Sequence, residues 1–324
     1  MNKKVFITGI GGFIGGHLAQ RLAEEGFIVA GSYFRPTNTM DIPSAHAKKL
    51  YNIDVRYRPH MEEALLDFKP DIIYHLAAQS YPMESFKYPA YTVETNVLGT
   101  LNLFESVIKV GLSSCRIMLA SSTAAYGFIK AEETPVGENQ PFRPAHVYGM
   151  SKAGQDLLGD TYYRAYGLDI IRLRIGNCVG PRRTGEVVSD FTYRRALWDL
   201  GRLKGGFPVG NLHTKRAFLD VRDAVEAFLG LQEKGESGEA YNVAGEKAFF
   251  IKELLDLVLE DCPNKPEIIT DPSLVREVDE PIYWSDLSKL KEATGWLQRI
   301  PLQKTVKDMI EWWKKSLLVA RSKT

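Results

Sequence analysis

Val5-Phe6-Ile7-Thr8-Gly9-Ile10-Gly11-Gly12-Phe13-Ile14-Gly15 is the stretch whose reading decides the fold. Val5 to Thr8 is a short apolar run, the pattern of a parallel strand covered on both faces. Gly9, Gly12 and Gly15 follow at Gly-x-x-Gly-x-x-Gly spacing. Ile14, Leu18 and Leu22 then recur at helical period until Gly26. A glycine motif between a strand and a helix is far more specific than the same glycines alone. They let backbone approach a pyrophosphate, and the helix start offers N–H groups and a positive dipole end. Gly9, Gly12, Phe13, Ile14 and Gly15 are therefore expected to hold a dinucleotide.

The pattern repeats downstream. A second strand, Phe27 to Tyr33, ends in Ser32-Tyr33-Phe34-Arg35-Pro36-Thr37-Asn38. NAD sites place an Asp or Glu there for the ribose hydroxyls, whereas an Arg accommodates a 2′-phosphate. No acid stands between Val29 and Thr39, so Arg35, helped by Thr37 and Asn38, favours NADP(H). NAD, with Arg35 as a solvated loop residue, is the alternative. Asn52-Ile53-Asp54-Val55 reads as the next strand end, with Asp54 able to accept from an adenine amino group and Val55 beside it. Asp71 to His75 is a fourth strand running into Leu76-Ala77-Ala78, whose small side chains allow close approach of the cofactor; His75 reads as strand packing rather than a base. Asn96 to Val110 is a helix with a wide apolar stripe (Val97, Leu101, Phe104, Val107, Ile108), which suits a dimer seam. Arg116 to Ala120 is a fifth strand, delivering Ser122. Alternating strands and helices of this kind argue for an α/β, doubly wound parallel sheet of Rossmann type.

Tyr148-Gly-Met-Ser-Lys152 carries the chemistry. A Tyr and a Lys four apart on a helix share a face. An ammonium beside a phenol favours the phenolate and brings it toward working pH, where it exchanges a proton with a sugar hydroxyl. Ser122 is expected to hydrogen-bond the same oxygen. Tyr148 and Lys152 also face the cofactor. Without the upstream strands and glycine loop, this spacing would describe only a solvated helix face.

The 324 residues, 44% hydrophobic and 25% charged, are enough for two lobes or one large domain. A net charge of +1 gives no field for nucleic acid or an anionic membrane. Cys115, Cys178 and Cys262 lack metal spacing and suit a reducing cytoplasm. No apolar run approaches a membrane span and no leader precedes the first strand, so a cytoplasmic, metal-free protein is expected. After Lys152 the helix continues through Leu157, Leu158 and Tyr162, then strand Asp169 to Arg174 and the loop Gly176 to Arg183. Beyond it the pattern loosens, with basic punctuation at Arg194, Arg195, Lys204, Lys215, Arg216 and Arg276. Residues 1–174 thus read as the NADP-binding domain, with strand and helix returns from the C-terminal half. Residues 175–324 read as mainly a smaller substrate-binding lobe.

With the glycine loop, Ser122, Tyr148, Lys152 and the Asn177 loop in this order, the chain resembles the extended short-chain dehydrogenase/reductases (the NAD-dependent epimerase/dehydratase family) from Lys4 to about Trp313. These enzymes act on nucleotide-diphosphate sugars, and for this chain a homodimer is expected, with a tetramer as the alternative. Within them it is most similar to GDP-mannose 4,6-dehydratases and GDP-4-keto-6-deoxymannose reductases. Four stretches carry that likeness: Leu76 to Ser80 with Ser85-Phe86; the Arg35 loop; Gly210-Asn211-Leu212 leading to Arg216 through Asp223; and Asp271-Pro272-Ser273 leading to Arg276 through Asp279. The resemblance implies that Asn177, Arg216 and Arg276 contact the sugar nucleotide, the arginines on its diphosphate, where a planar fork suits phosphate. It also implies that Ser85 lines the sugar pocket.

One position departs from the pattern. The dehydratases carry a Glu two residues before the tyrosine of the serine loop, to take the C5 proton and help water leave C6. Here that position is Ala124, flanked by Thr123 and Ala125. The reductases often keep an acid there too, while epimerases commonly have a small or hydroxyl residue. Hydride transfer at C4 needs only Ser122, Tyr148, Lys152 and the cofactor. An NADP(H)-dependent 4-keto reductase is therefore expected. A 4-epimerase comes next, then a dehydratase with its acid relocated to Glu84 or Glu132. A sugar-nucleotide or redox sensor on the same fold is the non-enzyme alternative, but it has no use for an activated phenol.

Overall fold

Lys4–Thr8 (β1) has four of its five residues buried, because it lies inside a sheet covered on both faces. The computed structural model describes residues 3–34, 45–274 and 284–321. In it, β1 joins β2 (Ile28–Tyr33), β3 (Lys49–Asn52), β4 (Ile72–His75), β5 (Arg116–Ser122), β6 (Ile170–Ile175) and β10 (Ala240–Val243). They form one seven-stranded sheet in the order β3-β2-β1-β4-β5-β6-β10, every pair parallel. The winding reverses between β1 and β4, and ligands of such sheets lie outside the strands' carboxyl ends at that reversal.

Helices cover both faces. On one side α1 (Phe13–Glu24) and α8 (Val221–Lys234) bury Leu18, Leu22, Val225 and Phe228 against β1 and β6. On the other, α2 (Arg58–Phe68), α5 (Gly99–Lys109) and α6 (Val147–Tyr166) bury Leu65, Leu103, Phe104, Val107 and Tyr162. The apolar stripe read on the Asn96–Val110 helix is thus partly used up within the chain. That helix also begins differently from its reading: Glu94–Leu98 forms a π-helical turn before α5. Its wider turn buries Asn96, whose side chain accepts from the Gln79 amide at 2.8 Å and donates to Ser151 Oγ at 2.8 Å. This ties the loop after β4 to α6. The sheet takes its last strand, β10, from the C-terminal half.

The second core belongs to β7 (Asn177–Val179), α7 (Val187–Asp199), β8 (Phe207–Val209), β9 (Lys215–Asp220), β11 (Ala248–Phe250), α9 (Ile251–Val258), β12 (Ile268–Thr270) and α11 (Leu302–Arg321). Val188, Phe191, Phe207, Leu254, Val258, Val306 and Met309 fill it. β9 pairs in parallel with β7 and antiparallel with β11, which sets Asn177 across from Phe218. Arg216 is two residues before Phe218 on the same strand.

A buried ion pair fastens α6 to the sheet. Asp156 is fully buried and Arg174 on β6 nearly so. Arg174 Nε and Nη2 donate to the two Asp156 oxygens at 2.9 Å each, and Arg172 adds a third bond at 3.1 Å. The remaining Arg174 nitrogen donates to the Tyr126 hydroxyl at 3.0 Å, which donates to Asn242 Oδ1 on β10 at 2.7 Å. One guanidinium thereby joins α6, the loop after β5 and the sheet edge. Asp156→Ala leaves Arg174 buried and unpaired, and such losses cost about 3–5 kcal/mol. Urea denaturation should show a destabilisation of that size; a loss below about 1 kcal/mol would mean that the pair does not hold the helix.

Candidate functional site

The carboxyl ends of the central strands open into one cleft of about 1160 Å³ running from the glycine loop to β9. Two glycines shape its floor. Gly9 has φ +74°, a left-handed conformation suited to glycine, and a Cβ on Gly15 would come within 2.3 Å of the Gly9 carbonyl oxygen. Gly12 is the N-cap of α1 and offers no side chain to the first turn, so the helix start retains backbone donors for an anion. Gly9, Gly12, Phe13, Ile14 and Gly15 all line the cleft, as do Asp54, Val55, Leu76, Ala77 and Ala78. The Asp54 carboxylate is shared with Arg56, whose Nη2 lies 2.6 Å away, so any adenine amino group would meet a carboxylate that is already paired. His75, read as strand packing, is buried with its nitrogens 2.8 Å from Thr8 Oγ1 and 3.0 Å from Thr100 Oγ1. Burial first, then Lys152, lowers its imidazole to about 3. Arg35, Thr37, Asn38 and Arg276 lie outside the described residues.

Two elements, β5 and α6, bring Ser122, Tyr148 and Lys152 to the lining of the cleft. Ser122 ends β5; its hydroxyl accepts from the Ala124 amide at 3.1 Å and donates to the Ile175 carbonyl at 3.3 Å. Tyr148 stands in the first turn of α6, and Lys152 Nζ is 6.0 Å from its ring centroid. Lys152 is buried and donates to the Ala120 carbonyl at 2.9 Å. Loss of water lowers its ammonium to about 7. A cation poorly solvated by anything else gains most from a phenolate beside it.

Farther along the cleft stand Asn177, which donates to the Ala217 carbonyl at 3.2 Å, and Arg216, which donates to the Lys215 carbonyl at 2.7 Å. Ser85 does not reach the cleft. It is fully buried and its hydroxyl donates to the Pro82 carbonyl at 2.6 Å, closing the turn of α3 (Pro82–Lys87). Its neighbours Pro82, Met83 and Phe86 form that wall instead.

Ala124 lines the cleft, so the position where a carboxylate was expected faces the ligand space with nothing beyond Cβ to offer. Of the two substitutes read from the sequence, Glu84 pairs with Lys87 at 3.5 Å and Glu132 lies exposed; neither lines the cleft. Sequence reading passed over Glu186, which does line it. Glu186 caps α7, accepting from the Val188 and Ser189 amides at 2.9 and 2.6 Å, and burial raises its carboxyl to about 7 while Arg183 opposes. Arg183 and His146 were also missed, whereas Arg194, read among the basic residues beyond the Gly176–Arg183 loop, does line the cleft. Arg183 belongs to a loop without sequence periodicity; a histidine two residues before the tyrosine was the available signal for His146. Among the described residues no cluster of His, Cys, Asp and Glu could hold a metal ion, and no helix is long and apolar enough to cross a membrane.

Comparison with known proteins agrees with this fold. The family model described as GDP-mannose 4,6 dehydratase matches residues 6–309. The GDP-6-deoxy-D-mannose reductase of Pseudomonas aeruginosa is 28% identical over 321 residues, covering 97% of this chain and 98% of that protein. The structure of RMD from Pseudomonas aeruginosa complexed with NADPH is 27% identical with a TM-score of 0.84, covering 97% of this chain and all of that one. The UDP-glucose 4-epimerase of Thermotoga maritima, solved with UDP-glucose, is also 27% identical, with a TM-score of 0.88 over 97% and 99% of the two chains.

The buried lysine carries a measurable signature. Unfolded, Lys152 stays protonated up to about pH 10.4; folded, it gives up its proton near 7. Between those values the unfolded chain holds the extra proton, so this group makes stability rise with pH across the window, from its lowest contribution at about pH 7 and below. Lys152→Met should therefore be more stable than wild type at pH 7, by about 4 kcal/mol at most, since each tenfold change in proton affinity corresponds to roughly 1.4 kcal/mol. The advantage should shrink toward about pH 10. Urea midpoints taken at roughly pH 7, 8.5 and 10 check this, and a pH-independent difference would show that Lys152 is not desolvated.

Proposed function

Because this chain belongs to the family described as GDP-mannose 4,6 dehydratase, we propose that it is an NADP(H)-dependent sugar-nucleotide oxidoreductase that reduces a GDP-4-keto-6-deoxyhexose at C4. The observation carrying this reading is a wall with Ser122, Tyr148 and Lys152 together and no carboxyl at Ala124. The glycine loop suits a dinucleotide, since its close backbone and uncapped helix start match a diphosphate. The nicotinamide, when bound, supplies the hydride. The chain's own residues handle the proton. Ser122 donates to the C4 oxygen and orients it. Tyr148 gives that oxygen its proton as the alcohol forms, and the Lys152 ammonium stabilises the phenolate left behind. Asn177 and Arg216, with Arg276, hold the sugar nucleotide. Arg35, in a segment without an acid from Val29 to Thr39, supports NADP(H) over NAD, as does the likeness to a protein solved with NADPH.

Epimerisation at C4 uses the same three side chains, and the likeness to a UDP-glucose 4-epimerase favours it as the second reading. Dehydration needs a base for the C5 proton within about 2.6–3.2 Å and a proton donor for the C6 oxygen. Ala124 supplies neither; Glu186 is the carboxyl in the cleft to examine for that role.

The purified protein should consume NADPH, and NADH far more slowly, with a GDP-4-keto-6-deoxyhexose. It should release no 4-keto-6-deoxy product from GDP-mannose. Tyr148→Phe should lose about 10²–10⁴-fold in turnover. Interconversion of C4 epimers without net cofactor change would replace reduction by epimerisation, and efficient dehydration of GDP-mannose would overturn both.

A homodimer is proposed on a separate observation. Met150 and Leu157 on α6 remain 42% and 57% exposed, and nearby Leu98 42%. They surround the place where Gly154 meets Val97, an apolar patch on a helix pair. Light scattering should give twice the chain mass, and Leu157→Asp should shift it toward the monomer; a wild-type monomer at micromolar concentration rejects the dimer.

A further inference from the structure

We infer that Tyr81 is a positioning residue: its hydroxyl latches the segment Gly180 to Glu186 across the mouth of the crevice between β1 and β4, so that the crevice admits and releases a dinucleotide when the latch opens. The inference rests on the dinucleotide reading of the glycine loop. It adds a residue that neither that loop nor the Tyr148–Lys152 face requires.

The segment joins β7 to α7 and touches both sides of the crevice. On the α1 side, His17 Nε2 donates to the Pro181 carbonyl at 3.0 Å, the Arg182 guanidinium lies directly on Gly16, and that of Arg183 stands 5.5 Å from the Phe13 ring. On the other side, the Tyr81 hydroxyl and Thr184 Oγ1 are 3.1 Å apart. The Tyr81 ring lies against Gly185, where an added Cβ would come within 2.7 Å of it. Phe13 opens the helix after β1, and Tyr81 belongs to the loop after β4. A segment in contact with both therefore crosses the place where a doubly wound sheet holds its ligand. Phe13, Tyr81, Arg183 and Thr184 all line the cleft.

Tyr81 is the fixed half of the latch. Gln79 Oε1 accepts from its amide and Gln79 Nε2 donates to its carbonyl, both at 2.9 Å. Gln79 is tied in turn through Asn96 to Ser151 on α6. The segment is the half that swings. Arg182 at φ +78° and Gly185 at φ +73° make a left-handed turn on each side of Arg183 and Thr184. That conformation is costly for a residue with a Cβ, so contacts from outside have to hold it at Arg182. A bond between two hydroxyls is weak enough to open and close as a gate. It also joins protein to protein, so it contributes equally to the free and the loaded chain. Weakening it should speed entry and release by the same factor and leave the equilibrium affinity where it was.

Tyr81→Phe keeps the ring against Gly185 and removes the hydroxyl; Thr184→Val removes the other half at similar volume. Stopped-flow fluorescence with NADPH, and with NADH as the second probe, gives the entry rate on mixing and the release rate on chasing with excess oxidised cofactor. Either variant should raise both rates about 3- to 10-fold, the range for one lost hydrogen bond. The dissociation constant should stay within about twofold of wild type. The double variant should match the single ones rather than multiply them, because a bond already broken cannot be lost twice. Unchanged rates in both variants would overturn the inference. Faster release at unchanged entry would also overturn it, since the hydroxyls would then be contacts to the dinucleotide and not a latch. A double variant whose effect is the product of the two would do the same. A wild-type protein that binds neither NADPH nor NADH would instead reject the dinucleotide reading, and the latch would fall with it. Two single variants are used so that misfolding of one leaves the other decisive.

Discussion

Lys152 is buried and donates to a backbone carbonyl, that of Ala120. That single bond requires α6 to lie hard against the end of β5, and much of the surrounding structure serves the requirement. Gly149 lets the first turn of α6 press on the Ala124 carbonyl, where a Cβ would stand only 2.6 Å from the oxygen. Asp156, one turn beyond Lys152, anchors the same helix through Arg174, and Asn96 ties it to the loop after β4. A desolvated amine whose proton is loosely held needs a scaffold that cannot relax around it. The ion pair, the π-helical turn and the glycine contact supply that stiffness from three directions.

The two ends of the cleft have different electrostatic characters. At the glycine loop the positive groups are backbone N–H donors of a helix start, which cost no side-chain entropy. Beyond β7 they are side chains: Arg183, Arg194 and Arg216. Arg183 lies 5.5 Å from the Phe13 ring and 5.8 Å from that of Tyr81, so one cation bridges the glycine loop and the far wall. Carboxyls are few among the residues lining the cleft, and Glu186 is buried enough to hold its proton near neutral pH. Such a cleft suits a ligand anionic at its middle and neutral at the reacting end, as a sugar diphosphate is.

The reductase, dehydratase and epimerase readings share one wall and differ in small groups placed beside it. In the proposed chemistry, Ser122, Tyr148 and Lys152 serve any exchange of a proton at C4. The fate of the sugar after that exchange depends on whether a carboxyl stands at C5 and on how long the cofactor keeps its charge state. A fold that hosts several reactions through single side chains makes Ala124 more informative than the overall likeness to any one relative.

The amino-acid sequence determined, by itself, the order of the first six strands, the glycine turn and the Tyr148–Lys152 face. Each of these depends on neighbours within a few residues: periodic apolar side chains, a turn that glycine alone permits, one turn of helix. It also placed Ala124 where an acid was expected, since a missing group needs no fold to be seen. Tertiary structure decided the rest. Only packing shows that Ser85 turns into its own helix while Phe86 faces the cleft, because one helical residue separates a buried side from an open one. Only packing brings Glu186, some 38 positions beyond Tyr148, into the same cleft, and only burial there lifts its carboxyl toward neutrality.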